Sequence, residues 1–155
     1  MPLIIKGIAT AEDAKIAVDH GVDVIYVSNH GGRQLDHGRG TIDTLPEIVE
    51  AAAGKADIVL DGGVTRGTDI VKALALGAKA VTIGKLQGWG LGAGGKDGLV
   101  RVLELLEEEM IVDMALMGVT RVDQITPSYI CKAAPVTSAH EMSAFVHIPG
   151  SGQLR

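Results

Sequence analysis

The chain has 155 residues, 46% hydrophobic and 21% charged, which suffices for one domain with a buried core and is too apolar for a disordered polymer. Its formal net charge of −5 supplies no basic surface to hold a polyanionic backbone, so nucleic acid is excluded as an expected partner, while small anions stay open through local sites. Cys131 is the single cysteine, which rules out an intrachain disulfide framework, and no apolar run reaches the roughly 18 residues of a membrane span.

No leader is expected before the first strand, and the expected setting is soluble and cytoplasmic. Aromatic residues make up only 3% of the chain against 21 glycines, so the core is expected from Val, Ile, Leu, Ala and Met.

In chain order, residues 3–5 form a short apolar strand closed by Lys6-Gly7. Thr10, with Asp13 three residues on, has the form of a helix N-cap before the 3.6-period segment Ala14, Ile16, Ala17, Val18, and Gly21 ends that helix. His20 is placed at its C-terminal end, where the dipole favours it. Residues 23–27 (D-V-I-Y-V) read as a buried parallel strand, followed by a long polar loop over 29–43 of the kind that forms lids. A second helix is expected over 45–53 with Pro46 in its first turn, then a third strand over 56–60 ending in Asp61-Gly62-Gly63. A third helix over 68–76 is closed by Gly77, and a fourth strand over 79–83 ends in Gly84-Lys85. The glycine-rich stretch 88–98 is read as loop, and the last helix as 97–117. Residues 127–155 carry Pro127, Pro135 and Pro149 and are expected to form an extended tail.

Four βα units in succession predict parallel strands with right-handed helical crossovers. The block beginning at Lys6 (K-G-I-A-T-A-E-D-A-K-I-A-V-D-H-G) resembles the one beginning at Asp61 (D-G-G-V-T-R-G-T-D-I-V-K-A-L-A-L-G), as tandem βαβ units of a pseudo-symmetric barrel would. Four strands cannot close an eight-stranded barrel, so the expected α/β fold is either a small open sheet or half of a larger barrel.

All four strands end on polar or glycine-rich signals, which in a barrel would line one mouth. In S-N-H-G-G-R-Q-L-D, from Ser28, His30 offers a base that titrates near neutrality and Arg33 a planar fork for a carboxylate. A lone histidine beside two glycines is ordinarily just a loop. D-G-G alone fits a tight turn or a phosphate-binding loop equally well. G-W-G-L-G-A-G-G is not a dinucleotide fingerprint, because it does not sit at the first βα turn. The five histidines show no metal-ligand spacing, and no metal is expected.

The strings I-I-K-G-I, S-N-H-G-G-R-Q-L-D, L-P-E-I-V, L-D-G-G-V-T-R-G-T-D-I-V-K-A-L-A-L-G-A and I-G-K together resemble the FMN-dependent α-hydroxy acid oxidases and dehydrogenases, to about residue 126. The resemblance is to strands five to eight of that family's TIM barrel, which implies an α/β (βα)4 half-barrel over residues 1–126. It implies FMN as cofactor and an L-2-hydroxy acid as substrate, oxidised to the 2-oxo acid. His30 matches the catalytic base and Arg33 the clamp on the substrate carboxylate. Lys6 matches the lysine beside flavin N1 and O2, and Ser28 a flavin-contacting serine. Asp61, Gly62 and Gly63 match the start of the phosphate turn, and Gly84 the second phosphate loop. Thr65 and Lys85 stand where family members carry phosphate-binding arginines; Lys85 keeps the charge without the fork, and Arg66 is the neighbouring cation expected to compensate. The partner implied is a complementary amino-terminal half or a second copy. The alternative is a non-catalytic half-barrel that serves as an assembly module.

Overall fold

A computed structural model describes residues 1–132. Its element order is β1 (Ile4–Ile8), α1 (Ala11–Asp19), β2 (Val24–Val27), α2 (Thr41–Ala52), β3 (Asp57–Leu60), α3 (Gly67–Ala75), β4 (Ala80–Val81) and α4 (Lys85–Met117). Short 3-10 turns occupy His30–Gly32, Val122–Gln124 and Pro127–Tyr129. The strands form one parallel sheet in the order β1-β2-β3-β4, as the alternation of β and α predicts.

Parallel register puts Lys6, Tyr26, Val59 and Ala80 in one row on one face of the sheet. None of the four is buried. The alternating residues Ile25, Val27, Ile58 and Leu60 turn the other way and are buried with Ala14, Ala17, Leu45, Ile48, Ala52 and Ala73 from the helices. Helices thus cover one face, and the row from Lys6 to Ala80 occupies the opposite one. A smaller cluster of Val71, Ala75, Val119 and Ile125, with Met110, Met114 and Ile130 against it, joins α3, α4 and the segment beyond α4.

Helix α1 starts as expected, with the Thr10 hydroxyl accepting the Asp13 N–H at 3.2 Å. His20 caps its end, Nδ1 lying 2.8 Å from the Ile16 carbonyl oxygen, and Gly21 takes φ +75. Four expectations are corrected. Strand β1 does not close at Lys6-Gly7 but runs to Ile8, with Gly7 (φ +103) absorbing a register shift between Lys6 and Ile8. Helix α2 starts at Thr41, a turn earlier than expected, so Pro46 lies in its interior, where it has no N–H to offer the Ile42 carbonyl. Strand β4 is only two residues long. The stretch read as a glycine-rich loop is largely helical: α4 begins at Lys85 and breaks only at Gly94 and Gly95. That break folds the helix back on itself, where a Cβ on Gly98 would overlap the Gly90 carbonyl. The small side chains are what permit the approach. Most of the tail expected to be extended, residues 133–155, lies outside the described residues.

Candidate functional site

The carboxyl ends of the four strands open on one cleft of about 1080 Å³. Lys6, His30, Arg33, Asp61, Gly62, Gly63, Gly84 and Lys85 line it, drawn from all four strand ends. Tyr26, Thr82 and Trp89 line it as well.

Beneath its floor Ser28 is buried and saturated. Its oxygen accepts from Lys6 Nζ at 2.9 Å and from the His30 N–H at 3.1 Å, and its hydroxyl donates to Asp61 Oδ1 at 2.5 Å. Lys6 Nζ also pairs with Asp61 Oδ2 at 3.0 Å and stands 5.1 Å from the Tyr26 ring centroid. The Tyr26 hydroxyl in turn bonds Thr82 Oγ1, so Lys6 and Tyr26 on β1 and β2 are joined to Asp61 and Thr82 just beyond β3 and β4. A cation held among a carboxylate, a hydroxyl and an aromatic face is fixed in place, and it faces the cleft.

His30, Gly31 and Gly32 have φ of 55, 65 and 70, a left-handed turn directly after β2. A side chain in that region is strained by roughly 1–2 kcal/mol, so the two glycines limit the strain to the histidine alone. The turn leaves the imidazole exposed while its backbone N–H is pinned on Ser28. Arg33 follows, exposed, its backbone N–H on the His30 carbonyl and its guanidinium without a hydrogen-bond acceptor among the described residues. Lys85 crosses from the start of α4 and donates to the Gly31 carbonyl at 2.8 Å, tying the β4 end to the β2 end.

The Asp61-Gly62-Gly63 turn uses φ of +101 and +80 at its glycines. Gly62 is also a close approach: a Cβ there would meet Asn29 Oδ1 and Thr41 Oγ1 at 2.9 Å each. Gly63 and Gly84 face open space instead. Asp69, one turn into α3, accepts the backbone N–H groups of Thr65 at 3.0 Å and Arg66 at 3.1 Å. Burial alone would raise its carboxyl pKa, but those two N–H groups and Lys72 outweigh it and hold the pKa below the ordinary value.

Arg66 does not join the cleft. Its Nε donates to Glu109 Oε1 at 2.7 Å, and Glu109 Oε2 accepts the Gly67 N–H at 2.6 Å, so this arginine clasps α3 to α4. The Gly67 N–H and the Arg66 guanidinium together hold the Glu109 carboxyl below its ordinary pKa, against the opposing effect of desolvation. Asn29, Thr41 and Trp89 were not singled out in the sequence. Asn29 lies inside the S-N-H-G-G-R string and could have been found there, whereas Thr41 reaches Gly62 only through the fold.

A parallel βα sheet with its polar side chains gathered beyond the strands' carboxyl ends is the site layout of an α/β enzyme. Residues 1–132 match the family described as FMN-dependent dehydrogenase, and the chain belongs to that family. It is 52% identical over 130 residues to an L-lactate oxidase of Nostoc, covering 84% of this chain and 36% of that protein. It is 54% identical over 132 residues to 2-hydroxyacid oxidase 1 of Mus musculus, covering 85% of this chain and 36% of the relative. Among solved structures, a mandelate oxidase variant with a monooxide FMN adduct aligns with a TM-score of 0.77 at 47% identity, over 81% of this chain and 40% of that one. The chain therefore spans a little over a third of the length of these relatives. A 2-hydroxyacid oxidase of Arabidopsis thaliana among the similar proteins is named as peroxisomal. Among the described residues no helix is long and apolar enough to cross a membrane.

Proposed function

We propose that the chain supplies the base-and-clamp portion of an FMN-dependent L-2-hydroxy acid oxidase site, as the half-barrel equivalent to strands five to eight of an eight-stranded barrel. The observation that carries the reading is the convergence of Lys6, His30, Arg33, Asp61-Gly62-Gly63 and Gly84-Lys85 on one cleft.

The donor set fits a flat, anionic flavin mononucleotide. Lys6, fixed by Ser28 and Asp61, would present a cation to the ring edge where negative charge gathers when such a ring is reduced. Gly63 and Gly84 leave the space a phosphate needs beside backbone, and the first-turn N–H groups of α4 lie next to Gly84. Lys85 adds a positive charge there. When bound, FMN supplies the two-electron acceptor that no side chain can replace. Arg33, its guanidinium unpaired among the described residues, pairs with the substrate carboxylate and fixes the molecule's orientation. His30 Nε2 or Nδ1 takes the proton released from the 2-hydroxy acid, and the pinned main chain at Ser28 limits where that ring can stand. Arg66 takes no part, being committed to Glu109.

The site is completed from outside the described residues. Leu3, Ile4, Leu103 and Ile111 are exposed, β1 and β4 are the edges of the sheet, and an apolar groove of about 670 Å³ lies between α3, β4 and α4. A complementary half-barrel, or failing that a second copy, would cover these surfaces. The single exposed thiol, Cys131, suits a reducing compartment, and cytoplasm is the one we propose.

A chimaera tests the reading: residues 1–132 replace the matched region of mouse 2-hydroxyacid oxidase 1. It should bind FMN and oxidise short L-2-hydroxy acids. A flavin-loaded chimaera with no such activity would contradict the proposal.

A further inference from the structure

Between Arg33 and the start of α2 the chain runs exposed through residues 34–40, and the side chains of Gln34, Asp36 and His37 hydrogen-bond nothing among the described residues. Arg39 is the exception. Its Nη1 donates to Glu47 Oε1 at 2.7 Å and its Nη2 to the Asp43 carbonyl at 3.3 Å, both on α2. Its own carbonyl accepts Asn29 Nδ2 at 3.2 Å, and Asn29 directly precedes His30. The same Asn29 places Oδ1 against Gly62, where it is buried without a donor. One residue thus fastens the far end of the loop to α2 and, through Asn29, to its near end.

We infer that Arg39 is a positioning residue, a latch that closes the 30–40 loop and holds Arg33 and His30 at the cleft. It is outside the cleft lining, so it reaches a ligand only through the loop. An exposed ion pair alone stabilises little, but this guanidinium makes two bonds to one helix while its carbonyl makes a third to the opposite end of the same loop. A loop with so few other bonds opens readily, and a small change in the latch changes the open fraction several-fold. The glutamate at 47 and the carbonyl at 43 set a fork geometry that lysine cannot copy.

The inference rests on the proposed role of Arg33, and the experiment separates the two. In the full-length chain, amide hydrogen exchange over residues 30–40 should quicken about fivefold in Arg39→Ala, with α1 and α3 unchanged. Arg39→Glu combined with Glu47→Arg re-forms the ion pair without the bond to the Asp43 carbonyl and should restore part of the slower exchange, which a general loss of structure would not allow. In the chimaera of residues 1–132 with mouse 2-hydroxyacid oxidase 1, oxalate, a dicarboxylate probe for Arg33, should bind the Arg39→Ala form more weakly by a similar factor while FMN affinity stays the same. Unchanged exchange in Arg39→Ala, or a loosened loop that leaves oxalate affinity untouched, would overturn the latch. Failure of the FMN-loaded chimaera with Arg39 intact to bind oxalate would contradict the role of Arg33, and the exchange measurement would then decide the latch by itself.

Discussion

Lys6 Nζ and Asp61 Oδ2 stand 3.0 Å apart although β2 separates the strands that carry them, and Ser28, at the end of β2, bonds both. The ammonium is half-exposed toward the cleft, while the carboxylate is mostly covered. Replacing Lys6 with methionine would leave that carboxylate facing a ring edge that accepts negative charge. In the chimaera we expect FMN affinity to fall by one to two decades, the equivalent of about 1.5 to 3 kcal/mol for a charge-assisted bond. Flavin fluorescence titration reads this, and an unchanged dissociation constant would remove Lys6 from the flavin site.

The full-length chain by itself should bind FMN weakly and oxidise no 2-hydroxy acid measurably. Thr65 and Lys85 provide no arginine fork at the phosphate end, Arg66 is occupied by Glu109, and one face of the ring lacks a cover. The same fluorescence titration, run on this chain, should show no stoichiometric binding at micromolar concentrations. Tight binding would mean that the cleft is self-sufficient.

Asp69 makes the stability of α3 depend on pH. Its folded pKa is held below the ordinary value, so its contribution is present above about pH 4 and is lost as pH falls through the folded value. Asp69→Ala should cost about 1 kcal/mol near neutral pH, the usual scale for losing an N-terminal cap partner. Urea unfolding of both proteins should give curves that converge in acid. A gap that persists at pH 2 would assign the effect to packing instead.

Gly67 admits no side chain, because a Cβ there would lie 2.5 Å from Glu109 Cβ and 2.7 Å from the Met110 nitrogen. Gly67→Ala should therefore separate α3 from α4 and destabilise the chain by about 1–3 kcal/mol. Thermal unfolding measures it. Stability equal to wild type would show that the helices can part without cost.

Much of this arrangement was legible because its signals are local. Thr10 with Asp13, Gly21, Gly77 and the D-V-I-Y-V run fix elements through short-range chemistry, and the strand-end motifs fall together once parallel strands are granted. What escaped depends on distant partners. Gly88, Gly90 and Gly92 look like a loop in isolation, yet they are helical, and the helix folds back at Gly94 and Gly95 so that Gly90 meets Gly98, where only small residues fit. Arg66 beside the phosphate turn reads as an anion ligand, and only the packing of α4 on α3 reveals that Glu109 claims it. Lys6-Gly7 reads as a strand end because a glycine usually stops a strand, whereas here Gly7 makes a bulge beyond Lys6 and the strand continues to Ile8.

The most direct test of the account is rapid mixing of the FMN-loaded chimaera with L-lactate in the absence of oxygen, following the blue absorbance of oxidised flavin. With His30 intact the absorbance should bleach. With His30→Ala the flavin should stay bound while bleaching slows by about 10²–10⁴-fold, the range for loss of a general base. Bleaching at the same rate in both proteins would contradict the assignment of His30 as the proton acceptor, and with it the function proposed for this cleft.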